Sequence, residues 1–84
     1  MGKVRIVVLQ RGWVVIGRVT ESGQELVIEH ASVIRRWGTS KGLGELINGP
    51  TDDTVLDKAG TVRAHALAVV LQIDCQEESW AAKL

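Results

Sequence analysis

The sequence predicts a mainly β protein: a small SH3-like or Sm-like β-barrel, or a strongly bent sheet, with a short helical turn and a C-terminal helix. Three observations point there. The apolar share is 45% with no Phe and no Tyr, so the core must be built from Val, Ile and Leu, which suit pleated sheet. Short runs alternate in hydrophobicity between glycine-bearing turns. Near the end, strand, single turn and strand follow one another, a pattern that small barrels share.

The elements follow in order. Lys3 to Leu9 reads as a strand, with Val4, Ile6 and Val8 on one face. Gln10-Arg11-Gly12 is a turn, and Trp13 to Thr20 is a second strand, apolar on both faces and so central. Gly17 in its middle marks a bend. Glu21 to Gln24 is a hairpin turn. Glu25 to His30 alternates cleanly as a third strand, and Ala31 to Trp37 is a fourth, although the spacing Ala31, Ile34, Trp37 also fits a helix. Gly38 to Gly42 is irregular. Leu43 to Asn48 is a helical turn, stopped by Gly49-Pro50. Thr51 to Gly60, polar and rich in Asp, reads as a loop with a brief extended piece. Thr61 to Ala64 starts a strand, His65-Ala66-Leu67 is a tight turn, and Ala68 to Cys75 is the last strand. Asp74 and Glu77 have the spacing of a capping box for a tail helix. Trp80 and Leu84 form an apolar stripe along it.

The totals narrow the function. The 84 residues make one domain, 1–84. Ten basic and ten acidic residues cancel, which makes nucleic acid an unlikely partner. The single cysteine, Cys75, excludes an internal disulfide and a Cys-based zinc site. No apolar run approaches a membrane span, and no signal pattern opens the chain, so the expected location is the cytoplasm.

One stretch combines cations, an aromatic ring and flexible backbone: Arg35, Arg36 and Trp37, then Gly38-Thr39-Ser40-Lys41-Gly42. Guanidinium groups take phosphate bidentately, indole stacks on a base, and glycine-rich backbone offers N–H groups to an anion. The candidate ligand-binding residues are therefore Arg35, Arg36, Trp37, Thr39, Ser40, Lys41 and Gly42, with Thr51 and Thr54 second in rank. This is not a P-loop, since Lys41 precedes the glycine. The bland alternative is a connecting loop, with Trp37 plugging the barrel end and the arginines solvated or salt-bridged. Asp52, Asp53 and Asp57 match no EF-hand spacing and read as a polar turn. His30 and His65 have no neighbours in a catalytic pattern. No catalytic residue, metal or cofactor is expected, and the protein is not read as an enzyme.

The strings Gly12-Trp13-Val14-Val15, Gly17-Arg18-Val19, Val33-Ile34-Arg35-Arg36-Trp37-Gly38-Thr39, Gly42-Leu43-Gly44-Glu45-Leu46, Gly49-Pro50, Thr54-Val55-Leu56-Asp57 and Gly60-Thr61-Val62-Arg63 are spread along nearly the whole chain. Together they resemble a family of small proteins encoded by bacteriophages and prophages. Relatives tend to carry a proline after the Thr-Val-Arg-Val run, where this chain has Ala64-His65. The resemblance implies a non-enzymatic viral protein in the host cytoplasm. Among such proteins, anti-defence binders that sequester nucleotide-type signals between subunits would suit the Arg35–Lys41 loop. The alternative is an interaction or structural accessory protein that docks on a host or virion protein. A homo-oligomer is expected in either case, because apolar strands and the Trp80–Leu84 stripe leave more apolar surface than so small a chain covers.

Overall fold

The computed structural model describes residues 2–84. Its five strands are β1 (Lys3–Leu9), β2 (Val14–Ser22), β3 (Glu25–Arg36), β4 (Val55–His65) and β5 (Val69–Asp74). They form one antiparallel sheet in the order β4-β3-β2-β1-β5. β4 and β5 are its two edges and do not pair with each other, so the sheet is strongly bent and open rather than a closed barrel. A 3-10 helix at Leu43–Asn48 supplies the helical turn, and a second at Ala66–Ala68 joins β4 to β5. The chain finishes with α1 (Glu77–Trp80) and a 3-10 turn at Ala81–Lys83.

The bend has a sequence cause. Between Ile16↔Ser32 and Arg18↔Glu29, β3 advances three residues while β2 advances two. Between Ile28↔Val62 and Ala31↔Gly60 it again advances three against two in β4. One extra residue is thus bulged out of β3, and His30 takes the left-handed backbone with φ 51. The bulge flips the side-chain parity. Leu26 and Ile28 before it and Ala31 and Val33 after it therefore face the same cluster. Gly17 lies opposite the bulge in β2. A Cβ there would sit 2.6 Å from Ile28 Cγ2 and 2.9 Å from the Glu29 carbonyl oxygen, so only glycine lets the two backbones approach this closely.

Apolar residues gather on both faces. On one, Val4, Ile6, Val14, Ile16 and Ile34 pack with Leu46 and Trp80, which come from outside the sheet. On the other, Val7, Val15, Val19, Leu26, Ile28 and Ala31 pack together, with Val62 of β4 and Val69 of β5 against them. Every member of this second cluster belongs to the sheet, which covers its own inner face by bending.

Four expectations change. The segments 25–30 and 31–37 are one strand ending at Arg36, and they looked separate because the bulge breaks the alternation. Residues Val55–Gly60 belong to β4, and the loop is confined to the turn before it. As an edge strand β4 has one partner, so Asp57, Lys58 and Thr61 stand in water at little cost. The capping box is not formed. The helix starts after Gln76, Asp74 accepts a hydrogen bond from Arg5 Nε at 2.8 Å, and Glu77 accepts two from Arg18. The Trp80–Leu84 stripe is not free surface: Trp80 is wholly buried, and its Nε1 donates to the Leu46 carbonyl at 2.8 Å. With no Phe or Tyr in the chain, this indole supplies bulk that the aliphatic side chains lack.

Candidate functional site

The candidate stretch begins where β3 leaves the sheet. Arg35 and Arg36 are its last two residues, and both are exposed. The pairing slips between Ile34↔Leu56 and Arg36↔Val55, which brings Arg35 within reach of Asp57 on β4. Arg35 Nε donates to Asp57 Oδ2 at 2.8 Å. Both side chains are well exposed, so the pair is screened and contributes little to stability. Among the described residues, neither Arg36 nor Lys41 has a carboxylate within salt-bridge distance.

Trp37 lies beyond the strand, 42% exposed, so it does not plug the core. Its carbonyl accepts a hydrogen bond from Thr54 Oγ1 at 2.7 Å. The next carbonyl, of Gly38, accepts one from Thr51 Oγ1 at 2.6 Å. Thr54 Oγ1 also accepts from the Thr51 amide at 2.9 Å, and the two hydroxyl oxygens are 3.1 Å apart. Two threonines thus staple residues 37–38 to the 51–54 turn. Gly38 is required at this seam: its φ is 67, and any Cβ would collide with the Asp53 carbonyl and the Thr54 nitrogen.

The loop beyond the staple already holds an anion. Glu45 Oε1 accepts from the Ser40 amide at 3.1 Å, the Lys41 amide at 2.9 Å and the Ser40 hydroxyl at 3.4 Å. Gly42, with φ 93, turns the chain into the 3-10 helix, and buried Leu46 anchors that helix to the core. The backbone donors singled out in the sequence do converge on a carboxylate, and it is the chain's own. Thr39 is half-buried, and Lys41 extends from the exposed part of the loop.

The structure therefore brings together Arg35, Arg36 and Trp37 at the strand end, and Ser40, Lys41 and Gly42 at the loop. Thr51 and Thr54 are engaged in holding the loop. Two participants escaped the sequence reading. Asp57 was assigned to a turn, and only the β3–β4 register shows that it reaches Arg35. The sequence signal for Glu45 is an acidic residue three positions after the glycine that starts a helical turn.

The remaining titratable groups have other roles. His65 Nδ1 accepts from the Leu67 amide at 3.1 Å and caps the turn into β5. His30 occupies the bulge. Burial pushes the Cys75 thiol up to about 11, which leaves it protonated and unreactive near neutrality. The Arg18 hydrogen bonds hold the Glu77 carboxyl below the usual carboxylate range. A small open cavity of about 330 Å³ lies between Lys3, Val4, Cys75 and Glu77, lined by different residues from those of the loop. Among the described residues no group of His, Cys, Asp and Glu side chains is arranged to hold a metal ion. Among the described residues no helix is long and apolar enough to cross a membrane. No family model matches the chain. No curated protein is significantly similar to it.

Proposed function

We propose that the protein is a non-enzymatic, phage-encoded binding protein that holds a phosphate-bearing, nucleotide-type ligand at the Arg35–Lys41 surface. Sequestering a host defence signal is the role that suits such a binder. One observation supports the reading above the rest. Two cations without carboxylate partners among the described residues, Arg36 and Lys41, lie one and four positions along the chain from an exposed indole, at a loop whose start the threonine staples hold in place. A fixed loop loses little entropy when it binds, and an indole face adds stacking to the charge-assisted contacts. Glu45 sets the terms, since an incoming phosphate either displaces it from the Ser40 and Lys41 amides or is held by the side chains alone.

Charged hydrogen bonds contribute roughly 1.5–3 kcal/mol each, so loss of the Arg36 guanidinium corresponds to about a tenfold to hundredfold loss of affinity. Native mass spectrometry of protein purified from its host identifies the retained ligand. Calorimetry with that compound then compares the wild-type chain with Arg36→Ala. The expected result is weaker binding at an unchanged melting temperature. Wild-type affinity in Arg36→Ala, or no retained ligand at all, would refute the proposal.

A further inference from the structure

The two free edges of the sheet are built differently, and we infer that the β5 edge is an isologous dimer interface with β5 of a second copy of this chain. This rests on the edge strands and not on the ligand reading. An exposed sheet edge is a template for another strand, and natural edges are guarded by charge, bulges or proline. β4 is guarded. It carries exposed Lys58 and Arg63, and between Ala31↔Gly60 and Ser32↔Lys58 it has an extra residue, with Gly60 at φ 71. β5 is not guarded. From Val69 to Ile73 it has no charge and no proline, and Val70 and Leu71 are 62% and 46% exposed.

The backbone is set for pairing. The Cys75 amide donates to the Val4 carbonyl at 3.0 Å, so Cys75, Ile73 and Leu71 turn their backbone groups toward β1. By alternation Gln72 and Asp74 turn theirs outward, where the sheet has no further strand; past them the Gln76 amide donates to the Ile47 carbonyl at 2.9 Å, so the 43–48 turn bounds this edge at its end.

A two-fold axis beside Gln72 makes the edge self-complementary. Gln72 then faces Gln72 of the second copy and exchanges two backbone hydrogen bonds with it. Leu71 faces Ile73, and Asp74 lies across from the bulged Val70. The one carboxylate on the strand meets no like charge, and it already has Arg5 at 2.8 Å. The guarded β4 edge offers no such match, which favours a closed two-fold pair over an open head-to-tail chain.

The test is sedimentation of the full chain at micromolar concentration, paired with amide exchange. The expected species has about twice the 9.1 kDa chain mass. The outward Gln72 amide should be protected from exchange in it, which a merely apolar collision would not achieve. Gln72→Pro removes an outward donor, a change that edge strands tolerate, together with the exposed hydrogen bond from Arg5 Nη1 to Gln72 Oε1 at 3.3 Å. It should give a folded monomer, as should Val70→Lys if the proline variant fails to fold. Ala59→Lys on β4 should leave the dimer intact. A monomeric wild type overturns the proposal and gives the edge to a partner protein. A dimer that survives both β5 variants, or an assembly broken by Ala59→Lys, also overturns it.

Discussion

On one face of the sheet Val4, Ile6, Val14 and Ile16 are covered by pieces brought from elsewhere in the chain, Leu46 and Trp80. On the other, Val7, Val15 and Val19 are covered by the sheet itself, through Leu26, Ile28 and Ala31 of the bent β3. The first solution depends on side-chain bulk. One indole fills the space, and an ion pair from Arg18 on β2 to Glu77 helps to dock the tail. The second depends on backbone geometry: a glycine where two strands touch and a bulge that resets the parity. A small chain without Phe or Tyr can close two apolar faces, but the two closures fail for different reasons.

The face covered by added pieces should be the easier to break. Trp80→Ala removes the largest buried side chain and its hydrogen bond to Leu46, and such truncations cost about 3–5 kcal/mol. For a domain of this size that is a large part of the total. Urea unfolding should show the loss, and a change under about 1 kcal/mol would mean that the tail is not part of the core. The self-covered face should respond to the smallest possible addition. Gly17→Ala forces a methyl group against Ile28 and the Glu29 carbonyl, with an expected cost of about 1–3 kcal/mol. Equal stability of this variant would show that β2 and β3 are not in close contact at the bend.

The smallest effect is chemical. Cys75 packs against the tail-covered cluster, and its thiol is raised from 9.0 to about 11, chiefly by burial. At a fixed pH near 8 it should alkylate about a hundredfold more slowly than in the unfolded chain, since each pKa unit is tenfold in thiolate. The raised value means that the folded state keeps its proton longer. The associated stability is full below about 9 and is lost as the pH climbs through 11. Trp80→Leu should speed the alkylation if the tail shields this thiol, and an unchanged rate would place the shielding in the sheet.

The same contrast explains what was readable in the sequence. β1, β2 and the first half of β3 were legible because alternation and apolar runs specify them locally. The second part of β4, from Thr61, was legible too; its first part, Val55–Gly60, was not, because an edge strand keeps polar residues such as Asp57 and Lys58, which look like loop. The break at His30 concealed a single strand behind a change of parity that only the neighbours' register reveals. Trp80 looked like surface because a four-residue helix gives no amphipathic pattern to judge by. At the candidate site the chemistry of Arg36, Trp37 and Lys41 was legible. The uses of Thr51, Thr54 and Glu45 were not, because their partners lie several to many positions away and meet them only in the fold.

The pairing of β1 with β5 has a mechanical meaning. β1 starts where β5 ends: Arg5 lies opposite Asp74, and the Cys75 amide is bonded to Val4. A pull on the two ends of the chain therefore does not shear this pair along its length. It opens the pair like a zipper, loading one hydrogen bond at a time. Before the first of them feels the load, the tail must peel away and Trp80 must leave its seat against Leu46. In this protein the first resistance of the ends to tension comes from the tail, where Trp80 is helped by Glu77 on Arg18 and by the Gln76 amide on Ile47.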